Sequence, residues 1–330
     1  MEEQTQKTCE LLIANRECMK SAFRWDGSLM QLACAGILTV RGLRGNEETL
    51  AECRAELKRK TNAFSNFRGA ARLPVITLLA AAGVGPETAL ENGLKVYGLL
   101  KKEFWTSAYL PLVSMLIAQT VPPARYGAIA VRTGTIYGRM KEEHPFLTSA
   151  EDSAFCALMA LSDKTDDALI GGAEECHAIL RPRFFSANAV QSLSHALALC
   201  DGPASEKCAR TLELFETLRA SGCKYGTGYE LPTLGVLAMS NEDVAATARK
   251  LTEIDGWLAR QKGFGLWGGI PAKQRLMYAG LAAMRDALGA DALQTAAVNG
   301  TISLIAAQQA AVCAAVASSS AAAAGASSSS

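Results

Sequence analysis

Nine consecutive residues, His144-Pro-Phe-Leu-Thr-Ser-Ala-Glu-Asp152, bring an imidazole, two carboxylates and two hydroxyls to one junction. If these groups converged they could exchange protons with a substrate, because an imidazole gives and takes protons near neutral pH and a carboxylate can orient it. Helix capping accounts for part of the run. A threonine hydroxyl followed three residues later by a glutamate satisfies the orphan N–H groups at a helix start, so Thr148 and Glu151 are expected to cap. Pro145 is expected to reverse the chain. His144 and Asp152 are left as the candidate catalytic residues.

The other patterns carry less chemistry. The chain has only three histidines, His144, His177 and His195. A zinc site needs three or four converging ligands, commonly with short helical pairs. Cys176-His177 and His195 with Cys200 lack that spacing, so no metal and no cofactor are expected. His177 is expected on an apolar helix stripe, and His195 as a largely buried side chain paired to a neighbour. Gly263-Phe-Gly-Leu-Trp-Gly268 spells a dinucleotide fingerprint, but that motif works only between a strand and a helix. Here it follows a helical segment and reads as a loop. Trp267 in that loop is expected to plug the fold as Trp105 and Phe185 do, with a mobile lid as the alternative.

The elements that would position these residues recur about every eighty residues. Asn62-Ala-Phe-Ser-Asn-Phe-Arg-Gly, His144-Pro-Phe-Leu-Thr-Ser and Lys224-Tyr-Gly-Thr-Gly-Tyr-Glu each lead into an apolar run. Ser65, Thr148 and Thr227 stand at matching capping positions, so helices are predicted near 66–82, 149–162 and 228–240. Gly85-Pro-Glu, Thr165-Asp-Asp and Asn241-Glu-Asp then open second helices. Ser107 and Ser186 precede third helices at 109–118 and 189–200, and fourth helices follow near 124–142 and 204–221. β-Branched residues never alternate over a sheet-length window. The fold is therefore expected to be all-α: tandem αα-hairpins in a solenoid-like stack, with a closed α/α toroid as the alternative. One domain is expected over 1–317, with a partial copy at 23–61 and copies at 62–143, 144–223 and 224–317. The Ser/Ala tail 318–330 is expected to be disordered.

Composition narrows the function. A formal net charge of +1 argues against nucleic acid, which needs a clustered basic excess. The run 298–316 has the length of a membrane span but is diluted by Asn299, Thr301, Gln308 and Gln309, so no membrane association is expected. The ten cysteines show no C-x-x-C spacing, and Met1-Glu-Glu-Gln-Thr-Gln-Lys has no secretory pattern. A reducing cytoplasm is the expected compartment.

Phe64-Ser-x-Phe-Arg68-Gly69, Met140-Lys-x-x-His-Pro-Phe-Leu-Thr148 and Leu193-Ser-His195-Ala-Leu-Ala resemble an uncharacterised, mostly Gram-positive bacterial family, domain of unknown function four-thousand-three. The resemblance spans about residues 10–310. It implies an all-helical bacterial protein and supplies no catalytic residue. The expectation is a non-enzymatic helical-repeat module that binds a peptide or protein along a concave face, with Arg68, His195 and Trp267 as candidate contacts. The alternative is a toroid with a central pocket, an enzyme or a small-molecule binder.

Overall fold

The computed structural model describes residues 1–292 apart from Phe146, Asn241 and residues 266–268, with the backbone alone over 286–292. In chain order the helices are α1 Glu3–Ala22, α2 Ser28–Val40, α3 Glu47–Lys60, α4 Arg72–Ala80, α5 Pro86–Glu103, α6 Leu110–Thr120 and α7 Tyr126–Glu143. They continue as α8 Ser153–Leu161, α9 Asp166–Leu180, α10 Ala187–Leu199, α11 Ala204–Ala220, α12 Leu231–Ala238, α13 Val244–Ala259 and α14 Ala272–Ala292. No strand occurs among the described residues, and the fold is all-α.

Composition sorts these helices into two kinds. Short α2, α6, α8 and α12 carry no charged residue at all, and α4 carries only Arg72. A helix apolar all round has no face for water and must be surrounded. Accordingly, residues 30–40, 73–79, 110–117 and 153–160 are each buried without a break. The odd-numbered helices are charged and bury one stripe, as α5 does with Ala89, Leu90, Gly93, Val96 and Leu100. Leu94 and Tyr97 lie at the half-exposed margin of that stripe.

The described residues divide into two compact units, one built from residues 12–135 and the other from 1–11 with 136–292. In the first, α2 packs beside α4 and α4 beside α6, while α3 packs beside α5. In the second, α8, α10, α12 and α14 form one row, and α9, α11 and α13 the other. Close approach within a row needs glycine in places. A Cβ on Gly235 of α12 would stand 2.4 Å from Leu193 and 3.2 Å from Leu197 of α10.

Helix ends follow the sequence in part: α12 starts at Leu231 with no side-chain cap, so the expected Thr227 cap is not made, and Ser107 accepts from the Tyr109 N–H just ahead of α6 instead of capping it. Thr165, Ser186 and Asp243 accept from the backbone N–H groups of Ala168, Ala189 and Ala246. Ser65 caps a single 3-10 turn, Asn66–Arg68, ahead of α4. The opposite ends are closed by cations from elsewhere in the same unit. Arg41 donates to Ala81 O at the end of α4 and to Gln119 of α6, and Gln119 in turn donates to Leu78 O. Lys164 and Lys207 both donate to carbonyls at the end of α10, and Arg210 of α11 donates to Ala238 O at the end of α12 and to Ser240 O and Glu242 O beyond it. Carbonyls in a last helical turn lack i+4 donors, and a cation suits the negative end of the helix dipole.

The sequence reading missed α1. Its buried residues are Thr5, Thr8, Asn15 and Arg16 beside Cys9, Leu12 and Met19, so more than half of its inward stripe is polar. Asn15 shows why such residues are tolerated: it donates to Thr39 Oγ1 and Leu43 O and accepts from the Gly45 N–H. No described helix is long and apolar enough to cross a membrane, and the segments 298–316 and 318–330 lie outside the described residues.

Candidate functional site

All three histidines of the chain gather in the unit of residues 136–292. Asp152 closes a 3-10 turn, Ala150–Asp152, that leads into α8. Its Oδ2 accepts from the Ser149 N–H at 2.8 Å, so the capping box is made by Ser149 and Asp152 and not by Thr148 and Glu151. The box shifts by one residue because Thr148 points inward. Thr148 Oγ1 donates to Met140 O and accepts from Gln191 Nε2 of α10, both at 3.2 Å. One turn further along α10, His195 faces Asp152, with Nδ1 3.7 Å from Oδ1. That is too long for a direct hydrogen bond. The Phe155 ring meets the His195 ring edge-on at 5.7 Å. Thr148–Gln191 and Asp152–His195 are thus two polar rungs between the turn and α10.

A second, half-exposed layer adjoins the first. His144 Nε2–H donates to Glu174 Oε2 at 2.8 Å, and the His144 and His177 rings are 4.8 Å apart. Burial raises the Asp152 carboxyl to about 7, opposed in part by the Ser149 N–H. Burial, reinforced by repulsion from His144 and His177, lowers His195 to about 3. His177 is lowered by burial and by His144. Near pH 6 the buried pair is therefore a neutral acid beside a neutral imidazole. A carboxyl that titrates near neutrality has the right pKa for a proton donor. However, Asp152 and His195 are each only 3% exposed, so a reactant cannot reach them in this conformation. His195 Nδ1, His177 Nε2 and Gln191 Oε1 have no hydrogen-bond partner among the described residues. No group of three His, Cys, Asp or Glu side chains among those residues is arranged to hold a metal.

The other unit presents a different feature. Three of its turns are tied side by side: Arg72 Nη2 donates to both carboxylate oxygens of Asp26 at 2.8 and 3.0 Å, and Asn66 Nδ2 donates to Tyr97 Oη and Ser107 O. Phe67 is fully buried against Tyr97, ring centroids 5.1 Å apart, and anchors the middle turn. Each turn carries one aromatic in water: Trp25 is 88% exposed, Phe64 97% and Trp105 96%. Arg24 lies over the Trp25 ring at 5.1 Å, and Lys101 over Tyr97 at 5.8 Å.

The residues singled out by sequence scatter over these two places. His144 and Asp152 share a neighbourhood but have different partners, Glu174 and His195. His195 is buried, and Arg68 is half-buried, donating to Thr61 O at 3.3 Å in the aromatic-bearing turn. Trp267 lies outside the described residues. Trp105 and Phe185, expected to plug the fold, are instead 96% and 100% exposed. Of Phe184 and Phe185 only the first is inside, packed on Phe215, because consecutive side chains in an irregular turn diverge. Gly263 has φ 87° and Phe264 is buried in the segment between α13 and α14, without the strand a dinucleotide fingerprint requires. Trp25 was missed altogether. The available signal was an aromatic next to a basic residue in a turn, as in Arg24-Trp25 and Lys102-Glu-Phe-Trp105.

A family model described as "Protein of unknown function (DUF4003)" matches residues 15–310. No curated protein and no solved structure matches the chain.

Proposed function

The chain belongs to the DUF4003 family of proteins of unknown function, and on that footing we propose that it is a non-enzymatic helical-repeat module whose work is to dock a partner. The observation that carries this reading is the row of Trp25, Phe64 and Trp105, each at least 88% exposed on adjoining turns. Exposed aromatics cost solubility, and aromatic and arginine side chains dominate binding surfaces. Residues 30–40, 73–79 and 110–117 are wholly buried, so those stretches of α2, α4 and α6 offer a partner no open side. The working surface is accordingly the turns at the edge and not the helix faces.

A photo-crosslinking phenylalanine analogue at position 64 or 105, in cells that express the full chain, tests this. Adducts are expected at those positions and not at Val84, an exposed apolar residue in the turn after α4. Equal labelling at 84, or none at 64 and 105, would refute the docking reading.

A further inference from the structure

Resting on that reading, we propose that the partner is a lipid bilayer: the edge bearing Trp25, Phe64 and Trp105 docks reversibly on an anionic membrane surface. Exposure decides between a bilayer and a peptide. A ring that lines a groove loses area to the groove walls, whereas Phe64 and Trp105 at 97% and 96% touch almost nothing. They project. Projecting aromatics on separate turns suit a soft, broad surface whose interfacial layer takes up amphipathic and aromatic rings. A peptide would need a cleft to bury its own side chains.

Charge points the same way. Residues 23–27, 61–72 and 101–109 hold five basic and two acidic residues, a local excess of three in a chain whose whole formal charge is +1. Arg72 neutralises Asp26, which leaves Arg24, Arg68, Lys101 and Lys102 against Glu103. Cations around interfacial rings are the pairing that an anionic leaflet attracts. The other unit carries the same combination, a fully exposed Phe185 close to Arg181 and Arg183. Membrane attachment through residues 298–316 is a separate matter: the edge proposed here lies on the surface and spans nothing.

The test is sedimentation of the full chain with vesicles of phosphatidylcholine, with and without phosphatidylglycerol. Binding is expected only with the anionic lipid and should weaken as salt screens the cations. The triple variant Trp25→Ala, Phe64→Ala, Trp105→Ala should lower partitioning roughly tenfold or more, while Val84→Ala leaves it unchanged. Lys101→Gln with Lys102→Gln should lower it by roughly thirtyfold, since each basic residue near the surface is worth about fivefold in affinity. Circular dichroism and the thermal midpoint should not move in any of these, because the rings are already in water. Equal sedimentation with neutral vesicles, or retention of the triple variant on anionic ones, would overturn the proposal. Crosslinks from position 64 that reach protein alone would overturn the bilayer while leaving the docking reading intact. Their complete absence would remove both.

Discussion

Replacing Asp152 by Asn should tilt the pH dependence of stability one way and replacing His195 by Gln should tilt it the other, while the parent chain stays comparatively level. Unfolded, the carboxyl has its ordinary value of 3.8 and the imidazole 6.5; folded, burial carries them to about 7 and about 3. Between those ordinary values the unfolded pair holds one proton, on the imidazole. The folded pair also holds one, on the carboxyl. Unfolding then neither takes up nor releases a proton at this pair, so it contributes no slope. The conclusion depends on the proton count alone and not on which of the two atoms carries the proton.

Removing one partner exposes the other. In Asp152→Asn, His195 is neutral when folded and protonated when unfolded, so the unfolded state binds the extra proton. Stability should rise by about 1.4 kcal/mol per pH unit as pH increases towards 6.5, or about 3 kcal/mol over two units. In His195→Gln, Asp152 binds its proton more tightly when folded. Its stabilising effect is complete below the ordinary carboxyl value and is lost as pH rises to about 7, a fall of about 3 kcal/mol over the same two units. Denaturant midpoints for parent and variants across this window, read as differences so that His177 and other groups cancel, measure both slopes. The double variant should run parallel to the parent. If both single variants run parallel to the parent, or tilt the same way, the buried neutral pair is wrong.

Ser186→Ala should cost about 1 kcal/mol in a denaturant titration, as loss of an N-cap hydroxyl typically does. Thr148→Ala should cost about 1–3 kcal/mol for a different reason, since it leaves Gln191 Nε2 buried without its acceptor, whereas Glu151→Ala should remove no cap. Gly235→Ala should lower stability by about 1–3 kcal/mol despite the better helix propensity of alanine, because its Cβ would meet Leu193 at 2.4 Å. A stabilised Gly235→Ala protein would show that α10 and α12 are not packed that closely. Trp105→Ala should stay within about 0.5 kcal/mol of the parent.

The helices were legible because their charge-free runs have no alternative. Residues such as Leu110-Pro-Leu-Val-Ser-Met-Leu-Ile find no stable place except inside, and Pro111 costs nothing in a first turn that lacks acceptors for its N–H. α3, Glu47–Lys60, carries the same kind of signal, with acids in its first turn and bases in its last, as a helix dipole favours. What stayed hidden depended on direction. Thr148 and Ser149 are chemically alike as caps, and only the position of Gln191, forty-three residues away in α10, decides which of them turns inward. The same holds for Phe184 and Phe185, where sequence gives two aromatics but not which one faces water. His144 and Asp152 were found as residue types, yet their partners Glu174 and His195 come from other helices, beyond the reach of local spacing.

The cations at the helix ends bear on how the chain unfolds. The last carbonyls of α4 and α10 are held by Arg41, Lys164 and Lys207, and the last of α12 by Arg210, all side chains that belong to other segments. Each helix closes its last turn with its own backbone, but the outermost carbonyls take their further donors from those other segments. Each final turn is weakened when the segment supplying its cation departs. Loss of one hairpin therefore opens the end of the next, so amide protons in the final turns of α4, α10 and α12 should exchange together with the neighbour's helix and not ahead of it.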